Sequence, residues 1–291
     1  MTILLIKYLS PKCIIIINNN VSSFKKEGGK YLKLKNLVIT GIMVALIFVL
    51  TFAIKVPVPF TRGYIHLGDS MIFIAAILFG WRVGALAGGL GSALADVVGG
   101  YAFWAIPTFI IKGIMGALVG LISDTYRKKY SLKKEIGIFS VSVGVWSAFI
   151  ISVSITLTSL INNLHTSSMT ATLMNELGYD NLEDLKNFLL NTRNIINIVL
   201  IVVPVVLILI SLILRKKDLK LFNLGNLMGS LISGLWMVFG YFIAGRILLG
   251  NWIIPIFEIP WNILQFTVGM IIAYIVLLAF KNTTLFQNSD L

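Results

Sequence analysis

Residues 104–123 read WAIPTFIIKGIMGALVGLIS, twenty residues whose one charge, Lys112, sits near the middle. As a helix rising 1.5 Å per residue the run is about 30 Å long, the thickness of a bilayer's hydrocarbon core. The rest of the chain has the same character. Of 291 residues, 57% are apolar and 12% charged, against roughly 45–50% and 25% in soluble domains. Mean hydropathy is +0.92. Too few polar side chains remain to cover a water-soluble core, so the composition predicts an all-α integral membrane protein.

Further apolar runs near 37–56, 69–80, 83–98, 137–160, 194–214, 226–248 and 261–280 bring the expected crossings to eight. The second and third are short and separated by Gly80-Trp81-Arg82-Val83, so one long glycine-broken helix is the alternative; 69–98 exceeds one bilayer thickness, which favours two. Lys and Arg number 24 against 12 Asp and Glu, a net charge of +12. An excess of this size can mark nucleic-acid binding, but here it lies in short segments between apolar runs and reads as membrane topology. Lys25, Lys26, Lys30, Lys33 and Lys35 precede the first span. Arg127, Lys128, Lys129, Lys133 and Lys134 follow the fourth, and Arg215, Lys216, Lys217 and Lys220 the sixth. With eight spans all three clusters face the cytoplasm and both termini are cytoplasmic, while the loop 161–193 carries Glu176, Asp180, Glu183 and Asp184 outside. Cys13 alone excludes an internal disulfide framework. Residues 1–23 lack a small-residue cleavage site and read as an interfacial segment or an upstream start.

An ionisable side chain at membrane depth costs roughly 2.5–3.5 kcal/mol on insertion scales. Asp69, Asp96 and Lys112 are the candidates. Either Lys112 pairs with one of the aspartates as a structural ion pair, or it faces a ligand. Small residues recur at four-residue spacing: Gly80, Gly84, Gly88, Ser92; then Gly116 and Gly120 after Lys112; and Gly41 with Ala45. In lipid such faces let helix backbones approach closely. Gly88-Gly89-Leu90-Gly91 has neither the Lys-Ser/Thr nor the βαβ context of a phosphate loop. His66 and His165 both fall in loops, and no metalloprotease, serine-hydrolase or paired-aspartate pattern is present, so the sequence argues against an enzyme and implies no cofactor and no metal. Aromatic, amide and hydroxyl groups gather instead at the outer ends: Tyr64, His66, Tyr101, Phe103, Trp104, Thr108, Tyr241, Trp252, Glu258, Trp261, Asn262 and Gln265. Interfacial belts account for Trp and Tyr, but not for Asn262 and Gln265 one turn apart in an apolar helix. Flat faces plus a few amides suit a planar heterocyclic ligand.

At Tyr64-Ile65-His66-Leu67-Gly68-Asp69, Leu78-Phe79-Gly80, Gly91-Ser92-Ala93-Leu94-Ala95-Asp96, Gly100-Tyr101, Trp104 and Pro107-Thr108-Phe109-Ile110-Ile111-Lys112-Gly113, the chain resembles the substrate-binding S components of energy-coupling factor (ECF) vitamin transporters. Gly240-Tyr241-Phe242 and Glu258-Ile259-Pro260-Trp261-Asn262-Ile263-Leu264-Gln265 resemble helices five and six of the branch that includes hydroxymethylpyrimidine and vitamin B6-type members. The resemblance covers 37–123 and 226–280. It implies a six-helix core with two inserted transmembrane helices, divided as an N-terminal extension 1–36, core helices 37–123, an insertion 124–225, core helices 226–280 and a cytoplasmic tail 281–291.

What the resemblance implies of function is binding without catalysis, in a prokaryotic plasma membrane. A small water-soluble vitamin or precursor would be taken from outside, with an ECF transmembrane coupling subunit and two ATPase subunits as partners. The expected substrate-binding residues are Tyr64, His66, Trp104, Thr108, Tyr241, Asn262 and Gln265, with Lys112 and Glu258 beside them; Gly41 and Ala45 are the expected partner-binding face. Leu at 262 or 265 is expected to weaken binding and spare the fold. The competing reading is a stand-alone secondary transporter, which calls for an intramembrane ion relay and often internal repeats.

Overall fold

The structure, a computed structural model, describes residues 34–58, 63–128, 132–164, 170–215 and 224–279. The N-terminal extension to residue 33, His165, the cationic residues 216–220 and the tail beyond 279 lie outside them. Nine helices occur among the described residues. They are α1 (Leu34–Ala53), α2 (Gly68–Phe79), α3 (Trp81–Val98), α4 (Ala105–Lys128), α5 (Leu132–Asn162), α6 (Thr170–Leu177), α7 (Leu182–Arg215), α8 (Leu224–Leu249) and α9 (Glu258–Ala279). Every predicted apolar run falls mainly on one of these helices, the first running on into Lys55 and Val56 of a strand, with α6 additional between α5 and α7. Five spans, in α1, α4, α5, α8 and the region of α9, are long and apolar enough to cross a membrane, and α2 is apolar but shorter. The chain is thus a mostly helical membrane protein.

Contacts divide it into residues Met1–Ile42 and Met43–Leu291. The described part of the first is the opening of α1, largely exposed. In the second, α2 and α3 are separate helices, because the chain turns at Gly80 alone, with φ of 84°. A side chain is strained at that angle, whereas glycine is not. The sequence expected a wider break there, through Val83. It also expected only helices; the chain instead forms an antiparallel hairpin between α1 and α2, β1 (Lys55–Val58) and β2 (Gly63–His66), with Lys55 opposite His66 and Val58 opposite Gly63.

The tightest helix pair is α3 with α4, followed by α4 with α8, α2 with α3, and α2 with α9. Glycine sets that closeness. A Cβ on Gly116 would collide with the backbone of Gly84, and one on Gly88 would stand 2.9 Å from the Lys112 carbonyl oxygen. Phe73, Ile77, Met115, Ile263 and Phe266 fill the interior, while Leu86, Leu90, Leu94, Ile106 and Ile110 point outward. Helices α5 and α7 pack on each other and against α8 and α9. Ile161, Leu164, Leu173, Leu177, Leu185 and Leu189 close over Ile253 and Phe257, the 3₁₀ turn that leads into α9.

Candidate ligand-binding site

A strand alternates its side chains, so Tyr64 and His66 of β2 share a face. On α9 the spacing 258, 262, 265 places Glu258, Asn262 and Gln265 on one helical stripe. These two faces meet the end of α3, the start of α4 and Tyr241 of α8 around a cavity of about 40 Å³. Its walls are Val58, Gly63, Tyr64, His66, Asp96, Trp104, Thr108, Tyr241, Glu258, Asn262 and Gln265. The Trp104 and Tyr241 rings meet edge-on at 5.8 Å and 62°. Tyr241 donates its hydroxyl to Thr108 Oγ1 at 3.2 Å. Tyr64 stacks obliquely on Tyr101 at 4.5 Å and donates its hydroxyl to Asp96 Oδ1 at 2.5 Å. Burial, then the Asp96 charge, raises the Tyr64 phenol well above its usual range, so it stays a donor.

Lys112 does not line the cavity. One turn below Thr108, its ammonium sits 2.5 Å from Asp69 Oδ1 and 2.9 Å from Met237 Sδ, and both charged side chains are fully buried. Of the two readings of Lys112, the geometry is that of the ion pair. Gln265 completes it: its amide nitrogen donates to Asp69 Oδ2 at 2.9 Å, and its oxygen accepts the His66 backbone N–H at 3.1 Å. One polar network therefore ties the hairpin, α2, α4 and α9 together. Gln265 is a structural member of it, so a Leu there is expected to disturb the fold as well as the cavity, where the sequence alone expected the fold to be spared.

His66 belongs to strand β2, not to a loop. Its Nδ1 accepts the Gly68 backbone N–H at 3.1 Å and faces the Thr51 hydroxyl at 3.4 Å. Burial, then the Lys112 charge, pushes its pKa from 6.5 down to about 3. The ring is accordingly neutral near pH 7, and with Nδ1 accepting, its proton lies on Nε2. The Gln265 amide nitrogen, 3.4 Å from Nε2, is itself a donor already directed at Asp69. Nε2–H is thus a donor that Gln265 does not satisfy.

The family model for the S component of ECF-type riboflavin transporters matches residues 31–179, just over half of the chain. The chain belongs to this S-component family. An uncharacterised protein of Pyrococcus woesei is 51% identical over 75 residues, 26% of this S component and 50% of the relative. The thiamine precursor transporter HmpT of Lactococcus lactis is 37% identical over 89 residues, 30% of this chain and 54% of that one. A UPF0397 protein of Streptococcus pneumoniae is 37% identical over 95 residues, 32% and 50% of the two chains. This S component spans about half the length of the curated relatives it matches. No solved structure matches it.

The family match contains the hairpin, α3 and α4 sides of the cavity, whereas α8 and α9 lie beyond it. Among the described residues of 124–225, none lines the cavity. Of the other aromatic residues singled out in the sequence, Tyr101 and Phe103 back the walls by packing on Tyr64 and Trp104. Trp252 belongs elsewhere, packed on Phe242 beside a separate cavity of about 320 Å³ shared with Phe149 and Val153 of α5. Gly41 and Ala45 are both exposed. Sequence reasoning missed Val58, Gly63 and, above all, Asp96, which it weighed as a possible ion-pair partner of Lys112 and not as a binding residue. The signal was available in Gly91-Ser92-Ala93-Leu94-Ala95-Asp96, a motif whose acid was not carried into the site.

Proposed function

We propose that this S component is the high-affinity membrane binding subunit for a small planar vitamin or precursor, pyridoxine-like or hydroxymethylpyrimidine-like. It would pass that ligand inward with an ECF coupling subunit and two ATPase subunits, without catalysing a reaction itself. The observation that carries the proposal is the cavity, in which aromatic faces, two amides and a hydroxyl converge at one end of the helices beneath the hairpin. Such a site suits a flat ring with polar edges. A volume of about 40 Å³ holds a few waters, so a heterocycle enters by displacing the hairpin or a helix end. The likeness to a thiamine precursor transporter supports the pyrimidine class.

The test is to purify the chain from its native host, identify the retained small molecule, and titrate that class of compound calorimetrically. Trp104→Ala and Asn262→Leu should each weaken binding about tenfold to a hundredfold, by loss of stacking and of a buried hydrogen bond. Full-strength binding by both variants moves the site elsewhere. Co-purification with a coupling subunit and ATPases separates this reading from a stand-alone secondary transporter.

The proposed topology is eight crossings in a prokaryotic plasma membrane. Helices α1–α4, α8 and α9 form the family core, α5 and α7 are the inserted pair, and both termini are cytoplasmic. The three basic clusters support it, as does the closure of the outer-loop leucines over the turn before α9, which puts that loop at the cavity end. Cysteine labelling from outside should modify a residue introduced at 167 and not one at 219; the reverse result overturns the orientation. Gly41 and Ala45 are proposed for the coupling-subunit face.

A further inference from the structure

Asp96 lines the cavity from the end of α3 and is only 4% exposed. Its two oxygens differ. Oδ1 accepts the Tyr64 hydroxyl, whereas Oδ2 is buried with no hydrogen bond. The Thr108 hydroxyl also turns toward this carboxylate as a donor, while Oδ2 keeps no hydrogen bond of its own. Neither nearby cation is given over to it. The Lys112 ammonium is engaged by Asp69. That of Lys55 lies over the rings of Phe52, Tyr64 and Tyr101 at 4.4, 5.2 and 5.6 Å. A buried carboxylate oxygen without a donor is costly, and a wall of a binding cavity is where an incoming donor can satisfy it.

We infer that Asp96 is the specificity-determining residue of the site: Oδ2 accepts an N–H from the ligand's edge, so the ligand is a planar heterocycle carrying an amino group or a protonated ring nitrogen. His66 Nε2–H supplies the opposite polarity, a donor for a ring nitrogen or hydroxyl. This rests on the reading of the cavity as the ligand site and narrows it to amino-substituted rings. A site built to bond an N–H discriminates strongly against an analogue of the same shape that lacks it, because its own polar group is then left unpaired.

The experiment titrates the full chain in detergent with 4-amino-5-hydroxymethyl-2-methylpyrimidine and with 5-hydroxymethyl-2,4-dimethylpyrimidine, in which a methyl group replaces the amine. Wild type should prefer the amine about tenfold to a hundredfold. Asp96→Asn keeps an oxygen for Tyr64 and turns an NH₂ toward the ligand amine, donor against donor. It should lose that preference while melting close to wild type. An unchanged preference in Asp96→Asn, or equal binding of both compounds by wild type, overturns the inference and leaves the cavity reading intact. If the wild type binds neither compound and the retained molecule is indifferent to Trp104→Ala and Asn262→Leu, the cavity reading falls and the inference with it.

Discussion

Lys112→Met is expected to destabilise this S component by about 3–5 kcal/mol, the usual cost of removing one partner from a buried ion pair. Asp69 is fully buried, and Lys112 is the cation bonded to it. With the ammonium gone, the Gln265 amide remains at Oδ2 but nothing neutralises the charge. Adding Asp69→Asn to the same chain removes the stranded carboxylate and should recover most of the loss, since the methionine stem fills the space of the lysine stem. Thermal unfolding in detergent reads both variants. A single variant that melts with wild type, or a double variant no better than the single, contradicts the assignment of the pair as the anchor of the network.

The second large effect is expected at Gly116. Its missing Cβ would meet the Gly84 carbonyl oxygen and carbon, which are backbone atoms that no rotamer change can move aside. Gly116→Ala must therefore push α3 and α4 apart, with a loss of about 1–3 kcal/mol or more, as for other overpacked sites. Because α3 carries Asp96 and α4 carries Thr108 and begins directly after Trp104, ligand affinity should fall with it although position 116 lies about two turns beyond Thr108. Gly113→Ala is the control. A Cβ there first meets the Ala85 carbonyl oxygen at 3.5 Å, an ordinary contact. That variant should melt and bind like wild type. Equal behaviour of the two substitutions shows that the glycine crossing does not set the helix spacing.

These two sites differ in how far the sequence disclosed them. The spacing of Gly84, Gly88, Gly116 and Gly120 was visible as a close-packing face because small residues four apart must share a helix side. Helix positions were legible for the same reason, long apolar runs having few alternatives in lipid. The hairpin was not: Lys55–Val58 is four residues with a proline, too short for strand periodicity to show. Asn262 stood out as an amide that an interfacial belt does not explain, and Tyr64, Trp104 and Tyr241 as aromatic residues gathered with it. Which aspartate Lys112 takes is different information. It depends on how α2 and α4 are rotated against each other, which no spacing within one helix encodes. The same gap hid Asp96, whose importance lies in one of its oxygens being used by Tyr64 and the other not.

Gln265 stands 196 positions after Asp69, whereas Lys112 stands 43 after it. Ribosomes add about 5–20 residues each second, so the charge pair is complete about 8–30 s before the amide that finishes the network is made. Through that interval the His66 backbone N–H and one Asp69 oxygen await their partner, and the hairpin has nothing to hold it to the last helix. The ligand cavity therefore cannot close on a nascent or truncated chain. Ligand binding of the proposed kind thus waits for α9, and a chain stopped before α9 leaves those two polar groups unmet.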